Sequence, residues 1–167
     1  DYLKKKREKI NFCLVGEPTN PNKLGEMIKI GRRGSITGKL TIFGLQGHVA
    51  YPQRAINPST IIIEILKELK DVKFDKGTKD FQSTNLEITK ININNTADNV
   101  IPAKANATFN VRFNNKHSSK SIKKKLNKIF KKISKKNKSK FKIEYRVSGE
   151  AFLTKPNKTT FMIQDII

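Results

Sequence analysis

The 167-residue sequence has little of the residue types that mark several common classes of protein. It contains one cysteine, Cys13, no tryptophan and two histidines. A single cysteine excludes an internal disulfide and agrees with a reducing cytosol, so we expect a cytoplasmic protein with Cys13 packed in its core. No run of about 18 apolar residues occurs, which excludes a helix that spans a membrane. No signal peptide is recognisable either.

Arginine is also scarce, although the net charge is +21. Such a charge would ordinarily suggest nucleic acid, but only six of the 35 basic residues are arginine, which makes bidentate contacts to phosphates and bases. Aromatic residues do not alternate with arginine as they do in single-strand binders. The composition therefore argues against a nucleic-acid partner and favours a solvated lysine surface. A basic nucleic-acid module built on residues 118–136 stays as an alternative.

The hydrophobic pattern predicts one compact unit. Apolar residues alternate over residues 36–44, 86–93, 105–113 and 141–147, which predicts four strands, and helical stripes follow Asn57-Pro58 and Ser118-Ser119. The order strand, helix, strand, strand, helix, strand favours a ferredoxin-like α+β fold, an antiparallel sheet with both helices on one face. Residues 34–147 contain this unit complete. We therefore expect residues 1–33 and 148–167 to belong to a second, α/β domain into which it is inserted.

The segment Gly-His-Val-Ala-Tyr-Pro at residues 47–52 is the first candidate for function. Glycine and proline flank this segment, and a histidine flanked in this way can present its imidazole to a ligand. The alternative is that His48 caps the helix that follows or faces water. The residues of this segment alone leave both interpretations open.

Charged side chains at other junctions form a second set of candidates. Glu17 follows an apolar run at residues 10–15, which predicts a buried strand, and it can ligate a metal, act as a base or cap a turn. Arg32 lies beside glycine, where a guanidinium suits a carboxylate. Arg112 alternates with buried neighbours and should point to the open face of the sheet, with surface ion pairing as the alternative. Asn99 offers an amide near the start of the same strand.

Several motifs, taken in order, resemble the dinuclear-zinc aminoacylase and carboxypeptidase family. They are Gly-Glu-Pro-Thr at 16–19, Gly-Arg-Arg-Gly-Ser at 31–35, Gly-His-Val-Ala-Tyr-Pro at 47–52, Asn-Val-Ile-Pro at 99–102 and Ser-Gly-Glu-Ala-Phe-Leu-Thr at 148–154. Three of them point to the bacterial branch that hydrolyses N-succinyl-LL-2,6-diaminopimelate in lysine and diaminopimelate biosynthesis. A related deacylase acting on acetylornithine is the alternative within the family.

The resemblance implies a role for each candidate. Glu17 matches a ligand of one of two zinc ions, with cobalt as the other metal to consider. His48 matches a histidine that reaches across a homodimer and stabilises the oxyanion formed when water attacks the amide. Five further residues match positions that contact a substrate with several carboxylates, in some cases from the second subunit: Arg32, Ser35, Tyr51, Asn99 and Arg112.

The resemblance places most of the metal site outside this chain. A catalytic zinc takes three protein ligands, and Glu17 is the one that the matching motifs supply. We therefore expect this polypeptide alone to be metal-free and inactive, whereas its parent is a zinc-dependent amidohydrolase. A third interpretation is a pure dimerisation element in which exposed sheet edges pair between subunits.

Overall fold

The computed structural model of the chain describes residues 2–10, 12–15, 20, 22–23 and 25–166. They group into two compact units, which we describe separately: Ile30–Lys155 form the larger one, and the segments before and after it form the smaller. No helix within these described ranges is both long and apolar enough to cross a bilayer.

The regular elements of the described residues are strands, α-helices and one 3-10 turn. The strands are β1 (Gly31–Arg32), β2 (Gly34–Phe43), β3 (Gly47–His48), β4 (Asn85–Asn92), β5 (Val100–Ile101), β6 (Lys104–Phe113), β7 (Lys140–Gly149) and β8 (Phe152–Leu153). The helices are α1 (Tyr2–Lys5), α2 (Pro58–Asp71), α3 (Ser119–Lys136) and α4 (Lys158–Ile166), and a 3-10 turn covers Pro52–Arg54.

A four-stranded sheet forms the centre of the larger unit, with strand order β4-β6-β2-β7. Each neighbouring pair is antiparallel. Helix α2 connects β2 to β4, and α3 connects β6 to β7, so each helix crosses over one intervening strand. This is the ferredoxin-like arrangement, and the predicted α+β fold class is confirmed.

Both helices begin where the sequence predicts a cap. The side-chain oxygen of Asn57 accepts a hydrogen bond from the backbone N–H of Ser59 at 2.9 Å, and Pro58 occupies the first turn of α2. Ser118 caps α3 in a reciprocal capping box with Ser121. Helix α3 carries the lysine run on its exposed side, because Ile122, Leu126, Phe130 and Ile133 form its buried stripe.

The helices cover one face of the sheet and leave the other open. Alternate residues of β2 and β6 point into the core, where Ile36, Leu40, Phe109 and Phe113 are fully or almost fully buried. The ring of Phe109 lies directly over Gly38, where an added Cβ would be 2.2 Å from the nearest ring carbon. The open face consequently carries the intervening residues, which include the candidates Ser35 and Arg112.

Two ribbons of paired two-residue strands extend the larger unit. β1 pairs with β8, and Gly31 lies opposite Leu153. This pairing joins the two ends of the larger unit. β3 pairs with β5, so that His48 lies opposite Val100. Strands this short have no hydrophobic period, and for this reason the sequence does not predict them.

Two expectations for the smaller unit are wrong. The described residues 12–15 form no strand, and Ile10, Phe12 and Leu14 are exposed. Cys13 is exposed as well and does not pack in a core. A strand persists only when a neighbouring strand satisfies its backbone hydrogen bonds, and no described segment pairs with this one.

Candidate functional site

The imidazole of His48 is exposed and has a defined orientation. Its Nδ1 accepts a hydrogen bond from the backbone N–H of Ala50 at 3.1 Å. A ring nitrogen that accepts a hydrogen bond carries no proton, so the proton of the neutral ring is on Nε2. The exposed ring of His48 therefore presents its Nε2–H as a donor to an approaching ligand.

Tyr51 and Asn99 lie next to His48, and we call the three residues the His48 group. The backbone N–H of Tyr51 donates to the carbonyl of His48 at 2.9 Å, and the two rings are 6.1 Å apart between centroids. The carbonyl of Asn99 accepts from the N–H of Val49 at 3.0 Å. The pairing of β3 with β5 thus brings together two motifs that are about fifty residues apart in the sequence.

Arg32, Ser35 and Arg112 form a second set at the start of β2, which we call the Ser35 group. Ser35 is only 7 % exposed and lies opposite Arg112 on β6 and opposite Gly149 on β7. The guanidinium of Arg32 packs over Gly149, where a Cβ would be 2.5 Å from Nη2. Ser35 therefore has an arginine on each side, and a side chain at position 149 would displace the guanidinium of Arg32.

The adjacent residues Arg32 and Arg33 make different contacts. Arg33 donates from Nη1 to the carbonyl of Ser83 at 3.3 Å and to Oδ1 of Asn85 at 3.0 Å, so it fastens this segment to β4. The guanidinium carbon of Arg32 lies 6.0 Å from the ring centroid of Phe152. Arg33 is thus engaged by protein groups, which leaves Arg32 as the exposed cation of the pair.

The His48 group and the Ser35 group lie at opposite ends of the sheet. Ser35 is the second residue of β2, whereas the segment leading to His48 begins after β2 ends at Phe43. Eight residues of extended strand separate these ends by roughly 27 Å. The structure therefore brings the candidate residues together in two sets and does not bring the two sets into one site within a single chain.

Glu17, the remaining candidate, lies outside the described residues. Among the residues that are described, no three His, Cys, Asp or Glu side chains cluster closely enough to hold a metal ion. The His48 and Ser35 groups offer a hydrogen-bond donor and cations, which suit an anionic ligand.

A model of the peptidase dimerisation domain matches residues 30–138. The match covers more than half of the chain and begins at the first residue of the larger unit. The chain belongs to this family of peptidase dimerisation domains.

Curated relatives of this dimerisation domain include succinyl-diaminopimelate desuccinylases. The chain is 80 % identical over its whole length to the succinyl-diaminopimelate desuccinylase of Pelagibacter ubique and covers 44 % of that protein. It is 45 % identical over 99 % of its length to the desuccinylase of Parvibaculum lavamentivorans and covers 42 % of it. The chain thus spans less than half of the length of these relatives.

Solved structures with the same fold are more distant in sequence. A tripeptidase from Staphylococcus aureus superimposes with a TM-score of 0.67 at 17 % identity, over 82 % of this chain and 35 % of that one. An aminopeptidase from Bacillus cereus gives a TM-score of 0.62 at 12 % identity, over 80 % of this chain and 34 % of the other. At these identities the likeness shows the fold alone.

The dimerisation domain also contains a buried carboxylate that sequence reasoning missed. Oδ1 of Asp75 accepts from the N–H of Gly77 at 2.6 Å and from Asn114 at 2.7 Å, and Oδ2 lies 3.1 Å from Nε2 of His117. Burial disfavours the charged form, but hydrogen bonds from Thr84, Gly77 and Asn114 outweigh it and hold the pKa of Asp75 well below its usual range. The Asp-x-Gly turn at 75–77 was the available sequence signal.

Proposed function

We propose that this chain is the substrate-contacting and dimer-forming part of a metal-dependent amidohydrolase. Its reaction is the hydrolysis of N-succinyl-LL-2,6-diaminopimelate to succinate and LL-2,6-diaminopimelate, the substrate that the relatives' name indicates. The observation that carries the proposal is the division of the candidate residues into two groups at opposite ends of one sheet.

A homodimer would explain why the candidate residues form two separate groups. A single small substrate cannot contact two groups that are separated by roughly the length of β2. In a twofold dimer, however, the His48 group of one protomer can complete the site to which the Ser35 group of the other belongs. Each of the two sites then takes residues from both subunits, and neither subunit is complete without its partner.

His48 would act on the reacting carbonyl. When water attacks the amide carbon, negative charge builds on the carbonyl oxygen, and the Nε2–H of His48 can donate a hydrogen bond to it. The amide C–N bond then breaks, the acyl group leaves as a carboxylate, and the amine takes up a proton. Because Ala50 already fixes the ring tautomer, the donor needs no reorganisation at that step.

The Ser35 group would bind the carboxylates of the substrate. A guanidinium forms two parallel hydrogen bonds with a carboxylate, and the succinyl and diaminopimelate moieties together carry three carboxylates. Arg32 and Arg112 lie on either side of Ser35 and are exposed. Tyr51 and Asn99 would contact the same substrate from the other subunit.

The proposal also includes two metal ions in the parent enzyme. We retain Glu17 as a ligand of one of two zinc ions, with cobalt as the alternative metal, although no described cluster fits a metal. In the same proposal residues 1–33 and 148–167 belong to the metal-binding α/β domain, residues 34–147 form the inserted domain, and the enzyme is cytoplasmic.

The edge of the sheet at β4 is the proposed dimer interface. β4 and β7 are the two edge strands. Beside β7 lies α3, which contains nine lysines and no acidic residue, so a twofold copy at that edge would bring like charges together. α2 and β4 instead expose Ile63 and Ile91, which are 63 % and 57 % exposed. Apolar side chains on an unpaired edge favour self-association there.

The alternatives make different demands on the same residues. Acetylornithine carries one carboxylate, so a deacetylase would need fewer cations than the Ser35 group provides. A nucleic-acid module would use the lysines of α3, but Lys136 and Lys132 already pair with Glu64 and Glu68 of α2 at 2.7 and 3.5 Å. Tight binding of nucleic acid that persists at physiological salt would support the module.

Turnover by the complete parent enzyme tests the proposal. With zinc present, kcat/KM should be at least about 100-fold higher for N-succinyl-LL-2,6-diaminopimelate than for N-acetylornithine, because two further carboxylates are bound. The metal-depleted parent is the control and should be inactive with both. Equal or higher efficiency with N-acetylornithine would contradict the assignment and support the deacetylase.

A further inference from the structure

The open face of the four-stranded sheet is strongly cationic. Residues that point to this face lie opposite one another across the strands, as Ser35 and Arg112 do. One of its two carboxylates, Glu144, is paired with Lys142 at 2.6 Å. An anion that approaches this face therefore meets a large excess of positive charge. The cations are Lys39, Lys90, Lys104, Arg112, Lys140, Lys142 and Arg146, and the carboxylates are Glu87 and Glu144.

Two arginines on this face have no described partner. In the larger unit, Arg33 is hydrogen-bonded, and the guanidinium groups of Arg32 and Arg54 lie over the rings of Phe152 and Tyr51. Within the described part of the chain, Arg112 and Arg146 make no hydrogen bond, ion pair or ring contact. Their guanidinium groups are exposed and keep all their donors for a ligand.

Arg146 lies one row of the sheet away from Arg112. Arg112 is opposite Ser35, and Arg146 is opposite Thr37, two residues further along β2 on the same face. The two arginines are on the strands that flank β2, so their Cα atoms are about 12 Å apart. Their side chains can therefore reach one small polycarboxylate from both sides.

Hydroxyl donors lie between the two arginines. The side-chain amide of Asn110 donates to Oγ of Ser35 at 3.4 Å and to Oγ1 of Thr37 at 3.0 Å. Because each hydroxyl oxygen accepts from Asn110, each keeps its own O–H proton for another acceptor. No acceptor for these protons occurs among the described hydrogen bonds. The surface between Arg112 and Arg146 thus offers two hydroxyl donors and lacks a carboxylate.

We propose that Arg146 is a further carboxylate-binding residue of the substrate site, in addition to Arg32 and Arg112, and acts opposite Arg112 across the hydroxyls of Ser35 and Thr37. The inference rests on the proposed function and deepens it, because it assigns a separate guanidinium to a separate carboxylate of the substrate. Asn110 is a positioning residue that turns the two hydroxyl protons towards the ligand. A site with two such arginines selects acylated amino acids with at least two carboxylates.

Substitution of Arg146 in the complete parent enzyme tests this assignment. Arg146→Gln should raise KM for N-succinyl-LL-2,6-diaminopimelate about tenfold and leave kcat almost unchanged, because the carboxylate is bound equally in the ground state and the transition state. Inhibition by succinate should weaken by a similar factor, whereas Arg146→Lys should restore part of the affinity. Lys140→Gln is the matched control, since it removes one charge from the same face of β7, roughly 20 Å away.

The outcomes separate this proposal from the proposed function. If the wild-type parent is active and Arg146→Gln shows the same KM and succinate inhibition as Lys140→Gln, Arg146 has no part in the site. If the wild-type parent hydrolyses another acylated amino acid instead, the desuccinylase assignment fails, and the same comparison on that substrate decides the role of Arg146. A parent that hydrolyses neither kind of substrate overturns both.

Discussion

His48 is oriented by one backbone hydrogen bond, and that contact determines which nitrogen can meet a substrate. With Nδ1 occupied by the N–H of Ala50, the ring presents Nε2–H. His48→Ala removes this donor, and in the complete enzyme kcat should fall about 100- to 1,000-fold with a much smaller change in KM. Gln46→Ala, an exposed neighbour in the same segment, should leave kcat unchanged. Near-normal turnover of His48→Ala in a steady-state assay would remove His48 from the mechanism.

Asp75 makes stability depend on pH in a defined direction. Its pKa is lower in the folded chain than in the unfolded chain, where it is about 4, so the carboxylate stabilises the fold fully above that pH and less below it. Asp75→Asn should lower the free energy of unfolding by about 1–3 kcal/mol at pH 7, since it places an amide N–H₂ against donors such as the N–H of Thr84. The difference in unfolding free energy between Asp75→Asn and the wild type should become smaller as the pH falls below about 4.

Urea denaturation of the chain at pH 7 and pH 3 measures this effect. The control is Asp80→Asn, the same substitution at an exposed position of the same loop, which should change the unfolding free energy by less than about 0.5 kcal/mol. The prediction would be contradicted by an Asp75→Asn variant that is as stable as Asp80→Asn or equally destabilised at both pH values. The buried hydrogen bonds of Asp75 would then contribute no pH-dependent stabilisation.

The two edges of the sheet differ in chemistry, and this difference predicts where a second copy binds. Burial of an isoleucine side chain contributes about 1.5–3 kcal/mol, and a twofold interface contains each position twice. Ile63→Lys on α2 should therefore raise the dissociation constant of the dimer at least about 100-fold, as measured by analytical ultracentrifugation over a range of concentrations. Lys128→Ala on the exposed side of α3 should have little effect. Loss of the dimer in the α3 variant, but not in Ile63→Lys, would place the interface at β7.

Long strands and helices can be predicted from the sequence, whereas strands of two residues cannot. Alternation over β6 and the stripe of α3 each repeat several times, so the period and the buried face of these elements are fixed locally. β3 and β5 have two residues each and form only because tertiary contacts bring His48 opposite Val100. The apolar run at 10–15 has the composition of a buried strand, but composition cannot supply the neighbouring strand that it needs.

The candidate site was likewise predictable in part. Alternation with Val111 and Phe113 was sufficient to place Arg112 on the open face. The sequence could not show that β3 pairs with β5 and so brings Asn99 next to His48, because that pairing depends on tertiary contacts. Arg146 was missed for a related reason: it is recognised by its position opposite Thr37, and cross-strand register is not visible in one strand alone.

At the scale of the whole molecule, the separation of the two groups predicts that two variants with impaired activity can restore activity to each other. In the proposed dimer each site takes His48 from one subunit and Arg112 from the other. A hybrid of a His48→Ala subunit and an Arg112→Ala subunit then has one intact site and one site with both defects. If half of the reassociated dimers are hybrids, kcat/KM per site should recover to about a quarter of the wild-type value. Either variant unfolded and reassociated alone is the control, and its kcat/KM should stay well below that value. If each subunit used its own His48 and Arg112, no hybrid would contain an intact site, and the mixture would be no more active than the separate variants.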